Sequence, residues 1–386
     1  MEVTSNPILL DARLRDLFRL VTQGNSPALD HEFQTLALDL FQFQFTRNEP
    51  FGSLCEARGL APKSIQHWRE IPAVPVSAFK ELEFSCLPPA ERTHVFHSSG
   101  TTGQRPSRHF HNAASLSLYE ASLLAWFGKC FSFFEREGHR GENIGRAGAT
   151  LPMLFLTPPV FEAPHSSLVY MFDAISRKWA SRESAFVGRT TGAGAWTIDF
   201  ELLKSKLCQL SSSSAPVFVF GTAFLFVHLL DFLRDHKLRF RLPPGSIVLE
   251  TGGYKGRSRF IPRLELHELI AETFGLTPRQ IVCEYGMCEL SSQAYSLTPA
   301  HATDQPSPSL YQFPPWARAQ IISPETGREV EPGETGLLRI LDLANVYSVI
   351  AIQTEDLAIR HGASFELLGR SEAAESRGCS LLAAQP

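Results

Sequence analysis

Residues 217–230, VFVFGTAFLFVHLL, form the longest apolar run of the chain and decide the fold class. The β-branched and aromatic start is typical of a strand, Gly221-Thr222 interrupts it, and the remainder has the composition of a buried helix. The run is too short to cross a bilayer comfortably and contains His228. We interpret it as a core strand that leads into a core helix.

The same rhythm appears on both sides of this run. Strand-length apolar segments occur at 151–157, 247–250 and 280–283, and helical patterns resume shortly after most of these strand-like segments. Such alternation is typical of a mostly parallel sheet with helices on its faces. The chain has 386 residues and 44% hydrophobic content, which suffices for a large α/β core and a second subdomain.

Polar, glycine-bearing segments follow three of the predicted strands. They are Gly221-Thr222, the sequence TGGYKGR at 251–257 and the sequence EYGMCE at 284–289. Each alone would be an ordinary strand-to-helix turn. Because ligands of open α/β sheets bind beyond the carboxyl ends of the strands, we expect the three to converge on one crevice. Glycine backbone, an aromatic face and a carboxylate for Mg²⁺ together predict a nucleotide site.

A run of small residues, SSGTTG at 98–103, lies between the strand-like Val95-Phe96 and a long helical pattern. Small side chains let backbone N–H groups approach a polyanion, and hydroxyls add donors, so the segment predicts a phosphate-binding loop. The alternative is a solvent-exposed turn. The basic run that follows, Arg105, Arg108, His109 and His111, favours phosphate. A metal site at His109 and His111 is disfavoured because no further ligand lies at useful spacing.

The distribution of helical patterns, prolines and strand-like runs predicts three regions. A helical and proline-rich part covers 1–90, a nucleotide-binding α/β core covers 91–315, and a small strand-rich subdomain with a C-terminal tail covers 316–386. Helices are expected from Asn6-Pro7 to Gly24, from Asp30 onward, and after Asn112. Frequent prolines between 62 and 92 exclude long helices there.

Composition excludes several classes of protein. The net charge of -4 gives no basic field for nucleic acid or a membrane surface. Charged residues near the N-terminus argue against a secretory signal. The seven scattered cysteines, without a C-x-x-C pair, argue against a disulfide framework or zinc ribbon and favour the cytoplasm. The absence of a G-x-S-x-G motif disfavours a hydrolase.

Taken in order, these motifs resemble those of the adenylate-forming (acyl-AMP synthesising) enzymes. The series comprises the loop at 98–103, Gly252-Gly253, the segment 285–289, Thr354-Glu355-Asp356 and Gly369-Arg370. More narrowly, the phrases IPAVPVSAFK, SSGTTGQRPSRHF, EYGMCELSSQAY, DLANVYSVIAIQTEDLA and LLGRSEAAESRGCS resemble the LuxE-type acyl-protein synthetases. These are the acyl-transferring components of bacterial fatty acid reductases.

The resemblance implies a role for each motif. ATP phosphates would lie against Ser98, Ser99, Gly100, Thr101, Thr102 and Gly103. The adenine would be held by Gly252, Gly253, Tyr285 and Gly286, with the tyrosine ring stacked near the base. Glu289 would ligate Mg²⁺, Asp356 would bind the ribose hydroxyls, and Arg370 would contact ribose or phosphate. In the LuxE-type family a cysteine near the C-terminus carries the acyl thioester, and Cys379 is the matching position.

Three departures from the family pattern concern charge and catalysis. The usual Thr before the Mg²⁺ glutamate is Cys288, and the usual Pro-Lys after the phosphate loop is Pro106-Ser107. Only sixteen residues follow Arg370, so we expect no C-terminal lid domain with its catalytic lysine. The charge of the departing pyrophosphate would then be met by Arg105, Arg108 and Lys255.

The resulting hypothesis is ATP-dependent activation of a carboxylic acid, with a fatty acid as the expected class, and transfer to a protein thiol, Cys379. An acyl reductase or acyltransferase subunit is the implied partner. Two alternatives stay open at this point. The chain could pass the acyl group to coenzyme A or another small acceptor, or it could be a non-catalytic nucleotide-binding subunit of a reductase or biosynthetic complex.

Overall fold

The computed structural model describes residues 6–24, 29–98, 105–131, 150–192, 194–254, 257–296 and 309–371. Within these ranges the α-helices are α1 (Pro7–Thr22), α2 (Leu29–Arg47), α3 (Glu49–Ala57), α4 (Ala113–Phe131), α5 (Ser167–Trp179), α6 (Phe200–Ser211), α7 (Ala223–Asp235) and α8 (Arg263–Phe274). The strands are β1 (Val74–Pro75), β2 (His94–His97), β3 (Arg108–His111), β4 (Met153–Phe155), β5 (Ala185–Phe186), β6 (Gly188–Thr190), β7 (Trp196–Ile198), β8 (Phe218–Thr222), β9 (Ile247–Thr251), β10 (Ile281–Tyr285), β11 (Ala294–Ser296), β12 (Leu310–Gln312), β13 (Ala317–Ile322), β14 (Thr335–Asp342), β15 (Ala351–His361) and β16 (Ser364–Arg370).

The chain divides into two compact units. The first comprises Met1–Trp126, Gly286–Ala294 and Asp304–Pro386, and the second comprises Phe127–Tyr285 and Tyr295–Thr303. Both units are therefore discontinuous in sequence. The three regions with boundaries at 90 and 315 stay a prediction. Among the described residues, no helix is both long and apolar enough to cross a membrane.

The second unit contains the predicted parallel sheet. Strands β5, β4, β8, β9 and β10 pair in that order, each parallel to its neighbour, and β11 follows β10. The run 217–230 forms β8 and the first part of α7, as its pattern predicts. Helices α7 and α8 each connect one strand to the next, so the unit is built from successive βαβ crossovers.

Aromatic residues align across the parallel strands of this unit. Register places Phe155 of β4 opposite Phe186 of β5 and Phe220 of β8. Their rings stack, with centroids 4.3 Å apart for Phe155 and Phe186 and 4.7 Å for Phe155 and Phe220. All three strands thus present ring faces on one side of the sheet, where such offset pairs add to the stabilisation from burial.

The first unit combines helices with an antiparallel sheet. Strands β13, β14, β15, β16 and β12 pair in that order, and each of these pairs is antiparallel. Asn6 caps α1 by accepting a hydrogen bond from the N–H of Ile8, and Asn112 accepts one from Ser115 at the start of α4. Between 62 and 92, short 3₁₀ turns and β1 replace long helices. The α/β class, with a helical N-terminal part and a strand-rich C-terminal part, is therefore confirmed.

Candidate functional site

A hairpin of β2 and β3 holds the two ends of the predicted phosphate loop. The N–H of Ser107 donates to the Ser98 hydroxyl at 2.8 Å, and the N–H of Ser98 donates to the Ser107 carbonyl at 3.1 Å. These two hydrogen bonds extend the hairpin by one residue pair, Ser98 and Ser107. Residues 99–104 between them lie outside the described part of the chain. The structure therefore places the two ends of the loop side by side.

Glu289 lies beside this loop end as a buried carboxyl group. The side chains of Ser107 and Cys288 hydrogen-bond to it, and Arg370 is close enough to act on it electrostatically. Burial raises the pKa of Glu289 above its ordinary value, although these three neighbours favour the ionised form. A buried carboxylate in this situation gains by binding a cation.

The donor set around Glu289 fits Mg²⁺. This ion prefers hard oxygen ligands and is usually held by one or two carboxylates together with the phosphates of a substrate. Glu289 offers one buried carboxylate, and the Ser107 hydroxyl lies next to it. Cys288 offers a soft sulfur, which does not compete for this ion.

Asp356 and Arg370 face each other across β15 and β16. They are register partners in this antiparallel pair, with Arg370 Nε 3.6 Å from Asp356 Oδ1. The Asp356 side chain is 18% exposed and that of Arg370 is 69% exposed. The predicted ribose ligand and the predicted phosphate contact are thus adjacent. Because Arg370 also acts on Glu289, the three predicted residues belong to one group in the first unit.

His109 connects β3 to the segment that carries Glu289. Its Nδ1 lies 2.7 Å from the carbonyl oxygen of Cys288, so Nδ1 carries the proton and donates. Burial lowers the pKa of His109 to about 4 and that of His111 well below its usual range. Both imidazoles are therefore neutral at physiological pH. The expectation that these two histidines add positive charge to a basic run is therefore wrong. Instead, His109 hydrogen-bonds to the Cys288 carbonyl and His111 to the Ser115 hydroxyl.

Arg108 belongs to a small cationic cluster rather than standing free. Its Nη1 lies 2.6 Å from one oxygen of Glu83, and Arg92 lies 2.5 Å from the other oxygen. The guanidinium groups of Arg92 and Arg108 also lie over the ring of Phe110. Two arginines share one carboxylate, which leaves the cluster with a net positive charge at the base of the loop. Arg105 is more exposed, and its ion pair with Glu81 is longer, at 4.0 Å.

The second unit holds the predicted adenine segment. Gly252 follows β9 with φ of 65°, a left-handed conformation that favours glycine, and no atom would meet a Cβ at Gly252 or Gly253. Tyr285 ends β10 and is partly exposed. Gly286, which follows it, is exposed and belongs to the first unit.

Two buried carboxyl groups, Glu284 in the second unit and Asp342 in the first, have no assigned role among the sequence predictions. Glu284 accepts a short hydrogen bond from the Thr251 hydroxyl, and burial raises its pKa to about 7. Asp342 accepts bonds from the N–H of Ser291 and the hydroxyl of Ser292. Burial raises the pKa of Asp342 to about 6. No sequence pattern indicates either group, because these hydrogen-bond partners of each carboxylate are distant along the chain.

Several predicted site residues lie outside the described part of the chain. They are Ser99, Gly100, Thr101, Thr102, Gly103, Lys255 and Cys379. Their roles stay predictions. Within the first unit, the structure brings together Ser98, Glu289, Asp356 and Arg370 through the contacts given above, and the residue that completes the connection is Ser107.

This chain is similar to a family of acyl-protein synthetases. The family model described as "Acyl-protein synthetase, LuxE" matches residues 150–385. The long-chain-fatty-acid–luciferin-component ligase of Vibrio harveyi is 22% identical over 354 residues, covering 89% of this chain and 85% of that protein. The ligase of the same name from Aliivibrio fischeri is 20% identical over 394 aligned positions, covering 98% and 96%.

Solved structures agree on the fold. An open conformation of 2-hydroxyisobutyryl-CoA ligase in complex with 2-HIB-AMP and CoA has a TM-score of 0.60 at 14% identity, covering 88% of this chain and 69% of that one. The postadenylation state of the same ligase, in complex with 2-HIB-AMP, has a TM-score of 0.61, also at 14% identity, covering 88% and 67%. At this identity the likeness concerns the fold. The LuxE family model matches more than half of this chain, so the chain belongs to the LuxE family of acyl-protein synthetases.

Proposed function

We propose that this protein activates a fatty acid with ATP to give an acyl-adenylate and then transfers the acyl group to a protein thiol. One observation carries the proposal beyond family membership. Ser98, Ser107, Glu289, Arg370 and Asp356 come from four separate parts of the sequence, yet each contacts or electrostatically affects the next. This series joins the end of the predicted phosphate loop to the carboxylates that we propose for Mg²⁺ and for ribose, which supports the proposal.

The first step needs no general base. A fatty acid is ionised at neutral pH, so its carboxylate oxygen can form the new bond to the α-phosphorus directly while the bond to the pyrophosphate oxygen breaks. This agrees with the lowered pKa values of His109 and His111, which make both imidazoles weak bases. Arg370, largely exposed and next to Asp356, can stabilise charge that builds on the phosphate. When bound by Glu289, Mg²⁺ would neutralise phosphate charge.

The second step transfers the acyl group to Cys379. A thiolate at this position attacks the acyl carbonyl carbon, a thioester bond forms, and AMP leaves with the electron pair of the broken bond. Arg377, two residues before it in sequence, would favour the thiolate. The thioester can then be handed to an acyl reductase or acyltransferase subunit. Among the described cysteines, burial raises the pKa of Cys55 to about 11 and raises that of Cys130 well above the usual range, which makes them poor nucleophiles.

Acid-dependent exchange of pyrophosphate into ATP tests the first step. We expect exchange with a long-chain fatty acid and none without an acid. A lack of exchange across acids of all chain lengths would contradict the enzymatic role and leave a nucleotide-binding subunit as the function.

Labelled fatty acid plus ATP tests the second step. We expect a hydroxylamine-sensitive label on the protein that is lost in Cys379→Ser and kept in Cys208→Ser, which changes an exposed thiol in the described part of the chain. Persistence of the label in Cys379→Ser would contradict the acyl-carrier role. Formation of free acyl-CoA without protein label would instead identify coenzyme A as the acceptor.

A further inference from the structure

Three metal-ligating side chains meet in the βαβ crossover formed by β9, α8 and β10. Glu250 comes from β9, His267 from α8 and Cys283 from β10, and Cys283 is the direct register partner of Glu250. Glu250 Oε2 lies 3.6 Å from His267 Nε2 and 3.4 Å from Cys283 Sγ. Cys283 Sγ lies 3.6 Å from His267 Nε2.

These distances form a nearly equilateral triangle. A catalytic relay would instead place the histidine between the other two groups, with a long separation between sulfur and carboxylate. In a tetrahedral zinc site with bonds of about 2.3 Å to sulfur and about 2.0 Å to nitrogen or oxygen, neighbouring ligand atoms are separated by roughly 3.3 to 3.6 Å. The triangle therefore has the dimensions of one face of a zinc tetrahedron.

Charge and burial point to the same ion. Glu250 is 5% exposed and Cys283 is 1% exposed, while the His267 side chain is 13% exposed. A thiolate, a carboxylate and a neutral imidazole together balance the two positive charges of Zn²⁺. Zn²⁺ would displace the proton of the Cys283 thiol, which without a metal is directed at Glu250 Oε2, 3.4 Å away. Thiolate and imidazole ligands also select zinc over the harder Mg²⁺ and Ca²⁺.

We propose that Glu250, His267 and Cys283 bind one Zn²⁺ ion in the second unit, with the fourth coordination position taken by water. The site ties the crossover helix α8 to the two strands that carry Gly252 and Tyr285 at their ends. Because this site shares no residue with the group around Glu289, it is independent of the proposed adenylation chemistry. Its tests can fail or succeed whatever the outcome of the pyrophosphate exchange.

Measurements on the wild-type protein test the site directly. Untagged protein from zinc-supplemented cells is expected to contain about one zinc per chain, with an X-ray absorption shell of one sulfur at about 2.3 Å and nitrogen or oxygen at about 2.0 Å. After removal of the metal, excess Zn²⁺ should raise the melting temperature by about 3 °C or more. Added Co²⁺ should produce thiolate-to-cobalt charge-transfer absorption. Zinc content near zero together with no cobalt absorption, or a bound metal without a sulfur neighbour, would overturn the proposal.

Matched variants identify the ligands. Cys283→Ser and His267→Gln should lose the cobalt absorption and the thermal shift, whereas Cys208→Ser and His236→Gln, which change exposed side chains, should keep both. Cobalt absorption of unchanged intensity in a folded Cys283→Ser variant would show that sulfur comes from another residue and would overturn the site. If that variant does not fold, the sulfur shell of the wild type and a loss of affinity in Glu250→Gln decide the question.

Discussion

Two glutamates close in sequence illustrate how burial acts on single residues in this protein. Glu284 is buried beside Thr251 and near Glu250, and Glu289 is buried beside Ser107 and Cys288. Burial raises the pKa of both carboxyl groups. Only Glu289 has a cation, Arg370, among the groups that act on it. We therefore expect substitutions at the two positions to affect stability and activity differently.

Glu284→Gln should make the protein more stable at alkaline pH. Its folded pKa of about 7 is above the ordinary value of 4.5, so the unfolded chain releases the proton first and wild-type stability falls as pH rises from about 4.5 to 7. A neutral amide removes this penalty. We expect a gain of about 3 kcal/mol at pH 8.5 that disappears near pH 4.5. Urea unfolding across this pH range measures it, with exposed Glu268→Gln as the control. A gain independent of pH would contradict the assigned cause.

Glu289→Gln should separate activity from stability. The amide cannot supply the negative charge that a metal ion requires, so we expect acid-dependent pyrophosphate exchange to fall on the order of 100-fold or more. Because burial already disfavours the charge of Glu289, the melting temperature should stay equal or rise. Exchange within about twofold of wild type would show that Glu289 does not act in adenylation. Glu331→Gln, at an exposed position, is the control.

Single residues were predictable where their role is local. Helices are expected from Asn6 and after Asn112 because the cap, the first turn and the apolar face lie within a few positions, and both asparagines cap their helices. The contact of His109 was not predictable, because its partner is the carbonyl of Cys288, far along the chain. Periodicity and spacing contain no information on such a contact. The same holds for the zinc ligands proposed above, which only the pairing of β9 with β10 brings together.

At the scale of elements, the strand ends were the most predictable feature. Apolar runs predicted β4, β8, β9 and β10, and the observed bounds differ from the runs by only a few residues. Strands that are buried on both faces are predictable because most of their residues are apolar. The hairpin of β2 and β3 was less visible because its strands are short and polar.

The segment after β9 yields a prediction from two adjacent glycines. Gly252 has φ of 65°, where a residue with a Cβ would be strained, whereas Gly253 has no positive φ. Both have open space where a Cβ would be placed. Gly252→Ala should therefore cost about 1 kcal/mol of unfolding free energy through backbone strain alone. Gly253→Ala should stay within about 0.5 kcal/mol of wild type. Chemical denaturation measures both. Equal costs for the two variants would mean that side-chain crowding, not backbone conformation, decides the position.

At the scale of the whole chain, the N-terminal helices and the C-terminal strands fold as one unit. Buried Gln44 of α2 donates to the carbonyls of Asn345 and Val346 at 2.8 and 3.0 Å, and accepts from the N–H of Ile350 at 2.8 Å. Asn48 donates to the carbonyl of Ser348 at 3.0 Å. These amides satisfy the backbone of the turn between β14 and β15. The division into three consecutive regions contains no information on contacts between the first and the last region. The contact between α2 and this turn was therefore not predicted.

Gln44→Met tests whether this connection holds the first unit together. Methionine keeps the volume of the side chain but leaves the N–H of Ile350 without its acceptor. The carbonyls of Asn345 and Val346 lose their shortest bonds and keep only long ones, from the Ser348 N–H at 3.4 Å and from Cys86 Sγ at 3.9 Å. We expect the unfolding free energy of the first unit to fall by roughly 2 kcal/mol, the cost of one orphaned buried group and two weakened acceptors. Gln42→Met changes an exposed residue of the same helix and should cost less than about 0.5 kcal/mol.

Hydrogen exchange gives the readout at the scale of the chain. If the amide of Gln44 couples the ends, Gln44→Met should increase exchange in α2 and in the turn at 342–350 together, because both lose the same hydrogen bonds. Gln42→Met should leave both segments protected. Faster exchange in α2 alone would contradict the coupling and would mean that the C-terminal strands hold their turn without the N-terminal helices. A joint increase would identify the hydrogen bonds of Gln44 to the turn at 342–350 as a long-range contact on which the cooperativity of the first unit depends.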